Sequence, residues 1–159
     1  MTPTAARDLT VDREELLRFV RPRHRGILST VRGDGSPQMS PVTIGVDDAG
    51  RVVLSTYPER AKARNAARDR RVSVCVLSDE FGGEWVQVDG RATVVAQPEA
   101  VEGLVDYFRA ISGEHPDWDE YRRAMRAQGK VLVRMEVERW GPISRGGFPA
   151  WFVPDQGAK

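Results

Sequence analysis

The sequence is poor in the residues that build disulfide frameworks, metal centres and nucleophilic active sites. Cys75 is the single cysteine among 159 residues, so an intrachain disulfide is impossible and a disulfide-stapled secreted fold is excluded. His24 and His115 are the only histidines and lie far apart in sequence, which leaves no pattern of ligands at metal-binding spacing. We therefore predict no metal site.

Long apolar segments and an excess of one charge are also missing. No apolar run approaches the roughly 20 residues of a membrane helix, and residues 1–15 lack the apolar stretch of a signal peptide. Lysine plus arginine number 24 and aspartate plus glutamate 23, so the formal charge is only +1 and provides no long-range attraction for nucleic acid. We expect a cytoplasmic protein that binds neither membranes nor nucleic acid.

Common catalytic and nucleotide-binding motifs are absent as well. The sequence has no Walker A motif and no G-x-S-x-G elbow, and the glycines of Gly33–Gly35 lie between two predicted strands rather than before a helix. Without these motifs, the sequence gives little basis for catalysis by side chains alone. If the protein is an enzyme, a bound organic cofactor supplies the reactivity, and no catalytic side chain is predicted.

Short β-branched segments separated by turn residues predict a mainly β domain over residues 11–140. Six strands are predicted: His24–Arg32, Gln38–Asp47, Arg51–Thr56, Arg71–Leu77, Glu84–Val95 and Val131–Val137. Short turns join the first three, which predicts antiparallel neighbours. Asp89-Gly90 predicts a bulge or tight bend within the fifth. The set is typical of a small closed or half-closed antiparallel barrel with flanking helices.

Helical patterns flank and interrupt these strands. Asp12 is placed to cap a short helix that ends before Pro22, and residues 59–69 are rich in helix-forming alanine and arginine. Apolar side chains recur at helical spacing over residues 99–112. Asp117 and Glu120 have the spacing of a capping box, which predicts a further helix through Gln128.

The two ends of the chain differ in character. Residues 1–10 show no periodicity and predict a disordered lead-in. Residues 141–159 contain Phe148, Trp151 and Phe152, which makes this segment too apolar for a free tail. We expect this C-terminal extension to pack on a dimer partner or over the mouth of a binding site.

The junction between the third predicted strand and the following helix carries an unusual concentration of cations. Arg60 and Lys62 fall in the first helical turn, where the helix dipole disfavours positive charge by roughly 0.3–1 kcal/mol. A bound phosphate reverses that sign, because it accepts hydrogen bonds from free backbone N–H groups and from both side chains. On charge pattern alone, a solvated basic face is an equal alternative.

The predicted strand Gln38–Asp47 offers a second polar surface. Gln38 and Ser40 share one face by strand alternation, while Met39 points away. Pro41 lacks a backbone donor, which favours an edge strand and leaves neighbouring backbone groups free for a ring system. An ordinary strand with a polar outer face is the alternative.

Four segments of the chain are distinctive when taken together: GILSTVRGDGSPQMSPV, LSTYPERAKARNAARDRRVSV, WVQVDGRATVV and GEHPDWDEYRRAM. Their order resembles the pyridoxamine 5′-phosphate oxidase-like superfamily, and most of all its branch of F-420 deazaflavin-dependent reductases. The resemblance implies an FMN-binding type of split barrel, a homodimer and cofactor sites at the subunit interface. The cofactor-binding residues that it implies are Gln38, Ser40, Val42, Ser55, Thr56, Arg60, Ala61, Lys62, Arg64, Asn65 and Trp85.

The resemblance assigns these residues to parts of the cofactor. Arg60 and Lys62 hold the phosphate, the 38–42 strand lines the ring, and a partner's Trp85 contributes, although a tryptophan in the barrel core is the simpler interpretation. The expected reaction is hydride transfer from the deazaflavin C5 to an electron-poor small molecule. Three alternatives stay open: an FMN-dependent oxidase or reductase, a non-catalytic flavin binder, and a structural dimer without ligand. The anionic glutamate tail of F-420 favours the deazaflavin, because Arg64, Arg68, Arg70 and Arg71 are available to bind it.

Overall fold

The computed structural model describes residues 3–153 and has four helices and nine strands within that range. The helices are α1 (Arg13–Val20), α2 (Ala61–Arg68), α3 (Ala100–Ser112) and α4 (Trp118–Gln128). The strands are β1 (Arg7–Leu9), β2 (Arg25–Val31), β3 (Pro37–Thr43), β4 (Gly45–Val46), β5 (Val52–Thr56), β6 (Arg71–Leu77), β7 (Val86–Val95), β8 (Val131–Trp140) and β9 (Ile143–Arg145).

Seven strands form one antiparallel sheet in the order β3-β2-β6-β7-β8-β5-β4. β3 and β4 lie at opposite edges of this sheet although Ile44 alone separates them in the chain, so the sheet must curl until its two edges meet. The predicted mainly β architecture, a half-closed barrel with flanking helices, is confirmed.

The predicted strand Gln38–Asp47 is two strands, which corrects the count of six. Its first part, β3, pairs with β2, and its second part, β4, pairs with β5. The break at Ile44 is held by two hydrogen bonds, from the Ile44 N–H to the His24 carbonyl (2.8 Å) and from His24 Nδ1 to the Ile44 carbonyl (2.9 Å). The Ile44 side chain is fully buried, so the chain passes from one sheet edge to the other through the core.

The strand bend predicted at Asp89-Gly90 is confirmed by a register shift between β7 and β8 at these two residues. A Cβ atom at Gly90 would overlap the Glu136 carbonyl oxygen on β8. The close approach of the two backbones therefore requires glycine there, and the bulge contributes to the curl of the sheet.

Two predicted helix caps are also confirmed. The Asp12 carboxylate accepts a hydrogen bond from the Glu15 N–H (2.9 Å) at the start of α1. The Asp117 carboxylate accepts one from the Glu120 N–H (3.1 Å) at the start of α4, and α4 ends at Gly129 in the left-handed conformation. Both helix N-termini are therefore satisfied by the chain's own acids.

Two hydrophobic clusters hold the fold together. The larger fills the barrel with side chains from most strands and from α1, among them the fully buried Leu16, Leu28, Val74 and Val88. The smaller lies between the α3–α4 hairpin and the sheet and contains Leu104 and Leu132. The hairpin is thus packed against the edge of the barrel, where β4 and β5 end.

The chain ends pair with each other, which the sequence did not predict. Arg7–Leu9 in the expected lead-in form β1, antiparallel to β9, and Ala5 bridges to Phe148 beyond it. Three-residue strands have no periodicity to detect, and their pairing is set by a partner about 140 residues away. Residues 154–159 of the expected extension lie outside the described residues. No helix in residues 3–153 is long and apolar enough to cross a membrane.

Candidate functional site

Helix α2 begins without a cap. Arg60 occupies the N-cap position with φ −70° and ψ 146°, and its side chain makes no capping hydrogen bond. The Arg60 carbonyl accepts the N–H groups of Ala63 and Arg64 (3.1 Å each), which leaves those of Ala61 and Lys62 at the open end of the helix. The first turn contains no acidic residue. This helix end therefore presents N–H donors and positive charge without an internal acceptor.

A cleft of about 480 Å³ adjoins this end of α2. Its lining residues are Pro41, Val42, Thr43, Ser55, Lys62, Tyr107, Phe108, Ile111, Tyr121, Met125 and Lys130. One side is formed by aromatic and aliphatic side chains of the α3–α4 hairpin. The charged lining residues are two lysines, and none of the described residues lining the cleft is acidic. The cleft therefore suits a ligand with an apolar ring and a negative charge.

The tyrosines of the cleft are fixed and neutral. The Tyr107 hydroxyl donates a hydrogen bond to the Thr43 carbonyl (2.7 Å), and the Tyr121 hydroxyl donates one to the Leu104 carbonyl (3.0 Å). Burial raises the pKa of Tyr107, and burial with a smaller effect of Tyr107 raises the pKa of Tyr121 to about 12. Both phenols are therefore protonated at neutral pH, and backbone carbonyls hold their hydroxyl groups in place.

The aromatic wall continues outward from the cleft. Phe108, His115, Trp118 and Tyr121 are all in edge or tilted contact with one another, with ring centroids 5.1–5.8 Å apart. His115 Nδ1 accepts the Asp117 N–H (2.9 Å) at the start of α4. Such contacts pack the hairpin as one unit behind the cleft. Residues 3–153 contain no cluster of three or more potential metal-ligating side chains.

A smaller depression of about 290 Å³, which we call the arginine depression, lies against the other side of the α2 N-terminus. It is lined by Arg32, Gln38, Ala61, Arg64, Asn65 and Arg68. Part of this set is engaged internally: Asn65 Nδ2 donates to Thr30 Oγ1 (3.1 Å), which donates to Gln38 Oε1 (3.1 Å). Arg68 donates to Asn65 Oδ1 (2.9 Å) and to the Val31 carbonyl (2.8 Å). These bonds fix the floor of the depression and leave Arg64 exposed at its edge.

Other polar depressions on the molecule differ in charge balance. The one between β2, β6 and β7 contains Arg91 and Arg139, each paired with a carboxylate at 3.1 Å (Glu138) and 3.0 Å (Asp89). By contrast, no aspartate or glutamate is found among the described lining residues of the cleft or of the arginine depression. Neither set of lining residues therefore supplies an acidic partner for its cations.

β3 presents the predicted ring-binding residues as strand alternation requires. Gln38, Ser40 and Val42 are half-buried on one side, whereas Met39 is 64% exposed on the other. β3 is an edge strand, as its prolines favour. The Ser40 hydroxyl is buried and has no hydrogen-bond partner among the described residues. A buried hydroxyl without a partner is costly, but Ser40 lines neither the cleft nor the arginine depression, so its contact with a ligand stays a prediction.

The structure brings most of the predicted site residues to the two sides of α2, but not all. The cleft receives Val42, Ser55 and Lys62, and the arginine depression receives Gln38, Ala61, Arg64 and Asn65. Thr56 is buried at the end of β5, next to Ser55. Arg60 is exposed at the helix N-cap between the two.

Trp85 is separate from this group. It is 38% exposed and lines an apolar depression of about 570 Å³ together with Ile27, Cys75, Leu77 and Phe81. The simpler interpretation, a tryptophan in the barrel core, is therefore wrong. Within one chain Trp85 does not share a lining surface with the residues around α2.

Comparison with known proteins identifies the family of this fold and site. A family model described as pyridoxamine 5′-phosphate oxidase matches residues 12–144, which is most of the chain. The chain belongs to this family. The match covers both walls of the cleft and the whole of α2, so the candidate site lies within the shared domain of the pyridoxamine 5′-phosphate oxidase family.

Individual members of the family give a finer view. An F420H(2)-dependent biliverdin reductase of Mycobacterium tuberculosis is 28% identical over 127 residues, which are 79% of this chain and 84% of that protein. A conserved hypothetical protein of the same species has a solved structure with a TM-score of 0.70 and 26% identity, covering 88% of this chain and 89% of that one. A structure called F420 reductase has a TM-score of 0.59 at 21% identity, covers 83% and 98% of the two chains, and supports the fold alone.

Several cleft residues of this pyridoxamine 5′-phosphate oxidase family member were missed from the sequence. They are Tyr107, Phe108, Ile111, Tyr121, Met125 and Lys130. The helical periodicity of α3 marks Phe108 and Ile111 as facing residues, but periodicity does not separate a core surface from the wall of a cleft. Lys130 carries no signal at all, because its place in the cleft depends on the packing of α4 and β8 against β5.

Proposed function

We propose that the protein is an F-420-dependent oxidoreductase that transfers a hydride between the deazaflavin C5 and an electron-poor small organic acceptor. The observation that carries the proposal is the uncapped, cationic start of α2, flanked by two depressions whose described lining residues include no aspartate or glutamate. The likeness to the F420H(2)-dependent biliverdin reductase supports the deazaflavin over other flavins. An FMN-dependent reaction is the second candidate, supported by the family match.

The residues around α2 fit a cofactor that combines a phosphate with a flat ring system. The free N–H groups of Ala61 and Lys62, with the side chains of Arg60 and Lys62, provide charged and neutral donors for the phosphate. We assign the ring to β3, where Val42 lines the cleft and the Ser40 hydroxyl has no partner among the described residues. Ser55 and Thr56 lie at the end of β5, and Ser55 lines the cleft together with Val42 and Lys62.

The deazaflavin supplies the hydride chemistry when bound, and the chain's residues bind and orient it. The α3–α4 wall excludes water from one side of the cleft and fixes the geometry, which is the main contribution that rigid neutral side chains make to such a reaction. Tyr107 and Tyr121 remain protonated near neutral pH because burial raises their pKa values. The proposal therefore assigns no titrating side chain to the reaction.

The arginine depression supports F-420 over FMN, because F-420 carries an additional acidic tail. Arg64 is exposed at the rim, and Arg32 lines the same depression. Arg70 and Arg71 contribute less than the sequence indicates, because Arg70 donates to β7 and Arg71 pairs with Asp69 at 2.6 Å. Arg32 is also engaged internally, since it donates to the Pro37 carbonyl (2.9 Å), so we place the acidic tail toward Arg64.

Calorimetric titration of the protein with F-420 and with FMN in parallel tests the proposal. We expect F-420 to bind more tightly, and we expect Arg60→Ala and Lys62→Ala each to weaken its binding by about 10-fold to 100-fold. Arg18→Ala is the matched control, since Arg18 is exposed on α1 away from the cleft. Tight FMN binding without an F-420 signal would reverse the choice of cofactor, and binding of neither would refute the proposal.

A homodimer is part of the same proposal. The outer faces of β2 and β6 leave Ile27, Cys75 and Leu77 beside the 92% exposed Phe81 and the half-exposed Trp85. Apolar patches of this kind mark protein interfaces, and a second copy would bury them. Sedimentation of the wild type and of Phe81→Glu tests this: we expect a wild-type dimer and a shift of the variant toward monomer. A wild-type monomer at all concentrations would refute the dimer alone.

A further inference from the structure

Lys130 is a charged residue that lines the cleft. Neither the sequence pattern nor the family resemblance assigns it a role. It lies between α4 and β8, whereas Lys62, the other lysine that lines the cleft, lies on α2. Both side chains are partly buried. None of the described residues that line the cleft is acidic, so an anion in the cleft would be attracted to both ammonium groups.

The backbone at Lys130 is held in a defined position. Gln97 Nε2 donates hydrogen bonds to the Lys130 carbonyl (2.9 Å) and to the Met125 carbonyl (3.3 Å), which the Lys130 N–H also approaches at 3.3 Å. The preceding Gly129 ends α4 with φ 65°, so the chain turns sharply into β8 at this point. Lys130 is therefore presented by a braced turn rather than by a mobile loop.

The side chain of Lys130 is directed to the approach of α2. Its Nζ lies 5.2 Å from the centre of the Tyr57 ring, in a cation–π contact, and the Tyr57 hydroxyl donates to Gln128 Oε1 (3.2 Å). Tyr57 begins the turn that leads into Arg60, since its carbonyl accepts the Arg60 N–H (3.1 Å). The aromatic ring thus places the Lys130 ammonium beside the loop that ends at the uncapped helix.

We propose that Lys130 is a second anion-binding residue, which holds the cofactor's phosphate from the β8 side while Lys62 and the α2 N–H groups hold it from the other. This inference rests on the proposed function, because it takes the cofactor as the ligand. The absence of acidic residues among the described lining residues leaves an incoming anion as the partner that offsets both charges. Tyr57 is the positioning residue that keeps the ammonium near the helix.

Titration of F-420 against wild type, Lys130→Met and Lys130→Arg tests the inference by binding alone. Lys130→Met keeps most of the side-chain length without charge, and we expect it to weaken binding by about 10-fold to 100-fold. We expect Lys130→Arg to retain most of the affinity, and the salt dependence of binding to be smaller in the methionine variant, since one screened charge is lost. Circular dichroism confirms that each variant is folded.

Arg126→Met is the matched control, because Arg126 is an exposed cation one turn earlier on α4 and does not line the cleft. Wild-type affinity in Lys130→Met, or an equal loss in Arg126→Met, would overturn the role of Lys130 while leaving the proposed cofactor in place. A change confined to the KM of an anionic acceptor would assign Lys130 to the acceptor and also overturn it. If the wild type binds neither F-420 nor FMN, the proposed function itself fails.

Discussion

The N-terminus of α4 and the N-terminus of α2 differ in how their backbone N–H groups and charges are satisfied. At α4, Asp117 caps the N-terminus and Asp119 and Glu120 complement the dipole, and α1 is built in the same way by Asp12, Glu14 and Glu15. At α2 the cap position holds Arg60, and the first turn has a lysine and no acid. The capped ends are complete within the chain, whereas the α2 end retains free donors and positive charge.

α3 also starts without a side-chain cap, at Glu99, but Glu102 in its first turn complements the dipole. The start of α2 has no such acid, and it is the end that the proposed function assigns to a ligand. A cap contributes about 1 kcal/mol to stability, and natural helices commonly have one. α2 lacks this stabilising contribution, and the cleft and the arginine depression lie beside its uncapped N-terminus. The comparison therefore predicts that substitutions at α2 change binding more than stability, and that substitutions at α4 do the reverse.

Arg60→Asp should have the largest effect, because it converts α2 to the α4 type of start. The extended backbone at residue 60 suits a capping aspartate. We expect F-420 binding to fall by at least about 100-fold, through loss of a charge-assisted donor and repulsion of the anion. Stability in urea should rise by about 1 kcal/mol. A variant that is both more stable and still binds would show that the anion docks elsewhere.

Asp117→Ala should have the opposite pattern. Removal of the cap leaves the Glu120 N–H without its acceptor, and we expect the free energy of unfolding to fall by about 1 kcal/mol. Because Asp117 does not line the cleft, the Kd for F-420 should stay within about twofold of wild type, as expected for distant sites. Urea denaturation and calorimetry on the same protein sample measure both quantities, and a large loss of affinity would contradict the distinction.

Ser40→Ala tests the orphan hydroxyl on β3 with a smaller expected effect. The alanine removes a buried polar atom that has no partner among the described residues, so stability should be unchanged or slightly higher. Binding should weaken by about 0.5–1.5 kcal/mol if the hydroxyl bonds to the cofactor. Ser112→Ala is the control, because Ser112 is exposed at the end of α3 and lines neither depression beside α2. Equal affinity for Ser40→Ala and wild type would remove this residue from the site.

Inorganic phosphate should give the smallest effect. An anion that binds the folded state alone stabilises it by about 0.4 kcal/mol when its concentration equals its Kd. We expect phosphate to raise the thermal midpoint of the wild type more than that of Arg60→Asp, at constant ionic strength set with sodium chloride. Identical shifts in the two proteins would indicate a general salt effect rather than a site.

The parts of this molecule that could be predicted from sequence are local ones. Asp12 and Asp117 act within one helical turn, and Gly90 acts at a bulge between the paired strands β7 and β8. Each is therefore visible as a short sequence motif. The break at Ile44 was missed because it depends on contacts with His24 and on closure of the sheet. Three-residue strands such as β1 are likewise fixed by a distant partner and not by their own pattern.

The candidate site also contains residues that the sequence identifies and residues that it does not. Arg60 and Lys62 were identifiable because a helix start and its charges are contiguous in sequence. Tyr107 and Lys130 reach the cleft only through the docking of the α3–α4 hairpin and β8, which no local pattern reports. Trp85 was placed by resemblance, and one chain by itself leaves it outside the cleft.

The aromatic wall of the cleft also gives the protein an optical reporter. Trp118 does not line the cleft, but its indole packs edge-on against Phe108 (5.8 Å) and Tyr121 (5.7 Å), whose rings do. Its Nε1 donates to the Glu114 carboxylate (2.9 Å), so its surroundings are both ordered and polar at one end. A ligand that contacts either ring alters the indole's surroundings, so Trp118 contributes to a change in the intrinsic fluorescence of the four tryptophans when the cleft is filled, without any attached dye.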